Sequence, residues 1–139
     1  MSEAVFEGDK FAAMLGIVQV EAQGDGCGAV VMPFEEKHHN RMQAAHGGAI
    51  FTLADMAFAA ACKNLGIHAV TSQSSISYLA PGLVSPLKAV ATPVKVGRHL
   101  AIFDVLVSDG SGRSVAKALM TGYVHGPLAR ELEKEKNRG

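Results

Sequence analysis

The sequence predicts an α+β fold in which one large antiparallel sheet curls round a single, almost wholly apolar helix. Three observations carry that expectation. The stretch GGAIFTLADMAFAAAC, residues 47–62, holds one charged side chain, Asp55. Most of the remaining chain reads as strands, bounded by Gly, Pro and Asp turn signals. The links between the segments after the helix are too short for parallel crossovers, which take a dozen residues or more, so antiparallel neighbours are expected. One helix on one antiparallel sheet buries the apolar face of each against the other.

Each element has its own justification. Residues 10–15 read as a short helix that Gly16 ends from the C′ position. Residues 17–21 and 28–32 flank the turn signal Gly24-Asp25-Gly26 and read as a hairpin, closed by Pro33. The segment 35–45 is polar and irregular. A helix is expected from Gly47 to about Asn64, with Gly66 as its stop. Ala49, Ile50, Leu53, Ala57, Phe58 and Ala61 form one face, yet the opposite face is apolar too. A helix of that kind is buried, wrapped by a sheet or pressed on a partner. Strands are expected at 69–79, 87–96, 100–108 and 114–125, separated by Pro81-Gly82, Gly97 and Asp109-Gly110-Ser111-Gly112. The tail 131–139, ELEKEKNRG, is a charged run expected to fray in solvent. No repeat or linker divides the chain, so residues 1–139 read as a single domain.

Composition narrows the function classes. The 139 residues are 48% hydrophobic, and thirteen basic residues balance thirteen acidic ones. Zero net charge leaves no electrostatic footprint for nucleic acid or for a membrane surface. Cys27 and Cys62 are far apart with no CxxC spacing, which points away from a disulfide framework or zinc knuckle and toward a reducing cytoplasm. The start, MSEAVFEGDK, is acidic and lacks the pattern of a secretory signal. The apolar run around Asp55 falls short of the roughly 20 residues that a membrane span requires.

The chemistry centres on the helix. Burying an unpaired carboxylate costs several kcal/mol unless its pKa rises or donors surround it, which makes Asp55 a candidate functional group. His46 precedes Gly47-Gly48, an expected helix start with exposed backbone N–H groups and room for a ligand to approach. Gly47 and Asp55 are about 12 Å apart along such a helix, and His46 and Asp55 lie about 180° apart around it. One chain cannot bring both to one reacting carbon. Two antiparallel helices across a two-fold axis can, with Asp55 of one facing Gly47 of the other, which predicts a composite site at a homodimer interface. There the N–H groups of Gly47 and Gly48 polarise a carbonyl oxygen, Asp55 serves as general base or as nucleophile, and His46 and Asn40 donate hydrogen bonds. The sketch is acyl-transfer hydrolysis without a metal.

The run Asn40-Arg-Met-Gln-Ala-Ala-His46-Gly47-Gly48, followed by Phe51-Thr-Leu-Ala-Asp55, resembles the hot-dog-fold acyl-CoA thioesterases, nearest the phenylacetic-acid-degradation (PaaI) type. SISYLAPG from Ser75 and VGRHLAIFDVLV from Val96 are similar to the family as well. The resemblance implies a five- or six-stranded antiparallel sheet round the helix, a dimer with a continuous sheet, and pairing of dimers into a tetramer. It implies that Asp55 carries the hydrolytic step, that the Gly47 N–H forms the oxyanion hole beside Gly48, and that Asn40 and His46 contact the thioester. It places Thr71, or Ser72, where a hydroxyl orients the water, and Arg98 with Lys95 where basic groups meet the phosphates of coenzyme A. No cofactor is implied, since coenzyme A is part of the substrate. The acyl group, aromatic or short- to medium-chain, does not carry over.

Simpler readings stand beside these. Asp55 can be a structural carboxylate, Asn40 a loop residue, Thr71 and Ser72 plain strand residues, and Arg98 a solvated turn charge. Adjacent histidines in a strand point to opposite faces, so His38-His39 is not a ligand pair, and no Cys or carboxylate pattern completes a metal set. His68, His99 and His125 read as isolated. A hot-dog dehydratase and a non-catalytic acyl-CoA binding module are the alternative functions. The Asn, His-Gly-Gly and Asp set fits hydrolysis better than the first, and the lack of any DNA-binding segment disfavours the second.

Overall fold

Six strands form one antiparallel sheet around a long helix in the computed structural model, which describes Phe6 and residues 8–127. The tail 131–139 lies outside the described residues. The short helix α1 (Lys10–Leu15) starts where the Asp9 carboxylate accepts the Ala12 N–H and stops at Gly16, whose φ of 80° only glycine adopts cheaply. Strands β1 (Val18–Val20) and β2 (Gly28–Met32) make the expected hairpin, with Val18 opposite Val31 and Val20 opposite Ala29. Helix α2 (Gly47–Leu65) is capped by His46 and closed by Gly66 at φ 72°. Strands β3 (Ile67–Tyr78), β4 (Leu87–Val96), β5 (Leu100–Ser108) and β6 (Ser114–Pro127) follow.

The strand order is β1-β2-β4-β5-β6-β3. Strands β4, β5 and β6 form the expected meander. The expectation of antiparallel neighbours fails at β3 and β4, which lie three positions apart. The connection 79–86 instead runs along the sheet end, across the ends of β6 and β5. It is tied there by Leu79 N–H to the Val115 carbonyl (2.8 Å) and Gly110 N–H to the Val84 carbonyl (2.7 Å). The buried Asp109 completes the anchor. It accepts from the N–H groups of Leu83 and Val84 and from both the N–H and the hydroxyl of Ser111. Short connections exclude a parallel crossover, but they do not exclude an arch over two strand ends.

The core lies between the inner sheet face and α2. Leu87, Ala89 and Ala91 of β4, Phe103, Val105 and Val107 of β5, and Met120 of β6 pack against Ile50, Leu53, Ala57 and Phe58. Phe58 meets Phe103 edge-on at 5.4 Å between ring centroids, a geometry worth about 1 kcal/mol beyond the area it buries. The alanines do bring helix and sheet close. A Cβ on Gly28 would stand 2.7 Å from the Ala57 carbonyl oxygen and 2.7 Å from the Ala61 Cα, so β2 passes beneath α2 only as glycine.

The helix is not covered all round. Gly48 is exposed, and Phe51, Thr52, Asp55 and Ala59 are half-exposed, which at spacings of three and four forms one stripe along the helix. Asp55 is therefore not buried within one chain, contrary to the sequence expectation. The sheet leaves this stripe bare because β3 is its last strand: twelve residues long, it pairs with β6 on one side and with no described strand on the other.

Candidate active site

The start of α2 forms one wall of a cleft of about 570 Å³. Asn40, Met42 and Ala44 come from the loop before the helix, Gly47 and Ile50 from its first turn, and Tyr78, Leu79 and Pro81 from the end of β3 and the connection beyond. The Asn40 side-chain oxygen shapes the loop by accepting the N–H groups of Met42 (2.8 Å) and Ala44 (3.1 Å), with Gln43 in the left-handed region at φ 65°. That arrangement fixes the amide and leaves its NH2 group without an acceptor among the described residues, in the cleft that Gly47 also lines.

The helix start departs from the sequence expectation in one respect. Two N–H groups were expected to be open to a ligand, at Gly47 and Gly48. The Gly48 N–H instead donates to His46 Nδ1 at 2.9 Å, because an N-cap side chain competes for the donors of the first turn. The N–H groups of Ala49 and Ile50 go to the His46 carbonyl. Gly47 N–H is left as the first-turn donor with no partner among the described residues. With Nδ1 accepting, the neutral His46 ring carries its proton on Nε2, and this exposed residue presents a second donor.

Asp55 forms a separate centre. Thr71 donates its hydroxyl to Asp55 Oδ1 at 2.7 Å, and no described residue donates to Oδ2. Ser72 does not share the role the sequence left open between the two. It sits at a bulge in the β3–β6 register, and its hydroxyl donates to the Thr121 carbonyl at 3.2 Å. Thr71 thus meets α2, whereas Ser72 turns back on its own sheet. Seven residues beyond Asp55, on the same helix face, Cys62 is buried. Burial, and secondarily the Asp55 charge, push its thiol up to about 12.

Asn40, Gly47 and His46 thus gather at one end of α2, and Asp55 with Thr71 at its middle, about 12 Å further along the axis. Lys95 and Arg98 are exposed at the β4–β5 turn. The register puts that turn at the sheet end where β3 begins, opposite the end that holds Tyr78 and Gly47.

The histidines correct two further expectations. His38 and His39 lie at a 3-10 turn (Glu36–His38), not in a strand. His38 is fully buried, its Nε2 2.8 Å from the Leu15 carbonyl and its Nδ1 accepting the Glu35 N–H, while exposed His39 packs on Phe34. His68 and His125 are not isolated, because the register shift between His68 and Ala69 sets their rings 5.5 Å apart on the outer sheet face. Among the described residues no three His, Cys, Asp or Glu side chains converge as a metal would require, and no helix is long and apolar enough to cross a membrane.

Sequence reasoning missed Tyr78 and Asp109. Tyr78 stands out only as an aromatic ending a serine-rich strand. Asp109 is indistinguishable from the turn residues beside it.

Residues 42–116 match the model of the thioesterase superfamily. The acyl-coenzyme A thioesterase PaaI of Escherichia coli is 34% identical over 125 residues, covering 89% of this chain and 87% of that protein. The solved structure of E. coli PaaI, from the phenylacetic acid degradation operon, has a TM-score of 0.81 at 32% identity and covers 90% of this chain and 91% of its own. A hypothetical thioesterase from Streptococcus pneumoniae, solved with coenzyme A, has a TM-score of 0.77 at 32% identity, over 88% of this chain and 98% of its own. That thioesterase has also been solved with alanine replacing an aspartate and, separately, a threonine sixteen positions later. Asp55 and Thr71 have the same spacing.

Proposed function

The chain belongs to the thioesterase superfamily, and from that membership we propose that it hydrolyses the thioester of an acyl-coenzyme A. The observation that carries the reading is the division of the site. A cleft with an open N–H at Gly47 and a threonine-held carboxylate at Asp55 lie about 12 Å apart on one helix, on a stripe that its own sheet leaves bare. A second copy running antiparallel across that stripe sets the partner subunit's Asp55 beside Gly47, and the two β3 edges then join into one sheet.

At the joined site the thioester carbonyl oxygen takes the Gly47 N–H, aligned with the positive end of α2. Asn40 Nδ2 and His46 Nε2 donate to the same group. The partner subunit's Asp55, held by its threonine, either removes a proton from a water that adds to the carbonyl carbon, or attacks that carbon itself to give an acyl–aspartyl anhydride that water then hydrolyses. The coenzyme A thiolate leaves and takes up a proton, and the acyl group leaves as the acid. The acyl group occupies the apolar cleft, which suits aromatic and short- to medium-chain acids. Arg98 and Lys95, at the sheet end opposite their own Gly47, come nearest the partner's cleft in this arrangement, where they meet the coenzyme A phosphates. Coenzyme A enters only as part of the substrate, and the roles call on no metal or cofactor. Pairing of such dimers into a tetramer belongs to the same reading. So does a reducing cytoplasm, in keeping with the two buried free thiols.

The test is release of coenzyme A thiol from phenylacetyl, hydroxybenzoyl, short- and medium-chain thioesters, with Asp55→Ala beside the wild type. Asp55 is half-exposed and bonded only to Thr71 among the described residues, so the variant should fold and bind ligand while turnover disappears. Hydrolysis undiminished in Asp55→Ala would sink the assignment.

A further inference from the structure

We propose that Tyr78 is a positioning residue that sets the tautomer and orientation of His46 through a single peptide group. The inference rests on the reading of this cleft as a thioesterase site and assigns a residue to it. The Tyr78 hydroxyl donates to the Gly47 carbonyl oxygen at 3.2 Å. The other end of that same peptide, the Gly48 N–H, donates to His46 Nδ1 at 2.9 Å. One rigid amide plane therefore links the phenol to the imidazole. A donor on the carbonyl polarises the amide and strengthens its N–H, and it also fixes the direction in which that N–H points. A firm bond at Nδ1 holds the proton on Nε2, the nitrogen that faces outward as a donor.

Within α2 the Gly47 carbonyl already begins the helix's own i→i+4 series, and Tyr78 adds a second donor to it, from the sheet. Neither Gly47 nor Gly48 has a side chain to hold the first turn in place. The neighbouring bonds, His46 N–H to the His38 carbonyl and Ala45 N–H to the Gly82 carbonyl, come from loops and stop short of the Gly47–Gly48 amide. Tyr78 is the contact that reaches this amide from the sheet. Its ring also stands 3.6 Å from where a Gly47 Cβ would be, so ring and glycine are in van der Waals register. Tyr78 remains 53% exposed at the end of an edge strand, a poor position for a residue retained only for burial.

The experiment compares wild type with Tyr78→Phe and Tyr78→Leu, using ¹⁵N NMR of the His46 ring alongside steady-state hydrolysis. Expected for Tyr78→Phe is a move of the His46 nitrogens from one tautomer toward a mixture. Its kcat should fall about 2- to 10-fold on every thioester, the effect of one net hydrogen bond, with KM within twofold. Tyr78→Leu should show the same change in the His46 spectrum. A His46 spectrum unchanged in Tyr78→Phe overturns the relay, and so does a tyrosine-like phenylalanine variant beside a defective leucine one, which would make the ring the active part. If the wild type hydrolyses no thioester, the functional reading fails by itself, while the His46 spectrum still decides the relay.

Discussion

Replacing Gly47 by alanine separates a glycine kept for folding from one kept for a substrate. Its backbone is not in the left-handed region, and a Cβ built there meets nothing nearer than the Tyr78 ring, at the ordinary contact distance of 3.6 Å. The fold therefore accepts the methyl, and helix propensity favours alanine by up to about 1 kcal/mol, enough to raise Tm by a few degrees. The same methyl projects into the cleft between Gly47 and Tyr78, where the proposed reaction brings a thioester oxygen within about 3 Å of the Gly47 N–H. Denying an oxyanion one donor costs about 10²- to 10³-fold in kcat, so kcat/KM should fall by about 10² while Tm holds or rises. Gly28→Ala serves as the contrast. Its Cβ would press on helix backbone at Ala57 and Ala61, which cannot yield, so that variant should lose stability by about 1–3 kcal/mol. Thermal melts and thiol-release kinetics on both proteins decide the matter. A folded Gly47→Ala enzyme with kcat/KM within twofold of wild type would refute the placement of the oxyanion at Gly47.

Three further outcomes are expected. Cys62, raised from its ordinary 9.0 to about 12, should resist iodoacetamide at pH 8 until the protein unfolds; stability should decline as pH climbs from 9 toward 12, because the unfolded chain releases a proton the fold retains, by about 4 kcal/mol at most, and Cys62→Ala should flatten that slope. The Ser111 hydroxyl above all, then the N–H groups of Leu83, Ser111 and Val84, hold Asp109 well below the usual carboxylate range against the opposing effect of burial. Its stabilisation is full above the unfolded value near 4 and is lost progressively as pH falls from there toward the far lower value of the fold. Asp109→Asn should therefore cost about 1–3 kcal/mol at pH 7, with the gap to wild type starting to narrow below pH 4 and narrowing further toward pH 2 in thermal melts. Subunits of Asp55→Ala and Gly47→Ala, each inactive alone, should recover about a quarter of wild-type activity when unfolded and refolded together, since half the dimers are mixed and each mixed dimer holds one intact site of two. No recovery from soluble mixed dimers would place the whole site within one chain.

Elements were legible in the sequence wherever a local rule decides them. Gly16 and Gly66 ended their helices where the left-handed C-cap requires glycine, and the bounds of β4 and β5 were readable because turn residues stand directly outside them. What was not legible depends on contacts far apart in the chain. The arch 79–86 is held by Asp109, whose acceptors match donors 25 and 26 residues away, and no local pattern announces that. Tyr78 reaches Gly47 across 31 residues. Asn40 and Gly47 line one cleft because the loop and helix start adjoin in sequence. The sequence marks His46 as a helix-start residue or a substrate contact, but not that its ring takes up the Gly48 N–H, which depends on the ring's rotamer. Thr71 and Ser72 differ in which of them meets α2, and that is set by the register of β3, which neither residue encodes.

The bare helix stripe and the β3 edge, which no described strand pairs, are two costs of the single chain with one remedy. A half-exposed Phe51 and Ala59 beside Asp55 forgo part of the burial that an apolar helix brings, and a twelve-residue open edge invites pairing with other chains. Covering the stripe with unrelated apolar side chains would answer the first cost but would desolvate Asp55, whose one described donor is Thr71. A second α2 crossing antiparallel answers the cost differently. It brings a helix N-terminus, with its open Gly47 N–H and its cleft, to the carboxylate, and a polar substrate group fills the space between them. On this argument assembly and activity share one cause. In the proposed dimer, the stripe that the sheet leaves uncovered is the one through which Asp55 reaches a thioester bound in the neighbouring cleft.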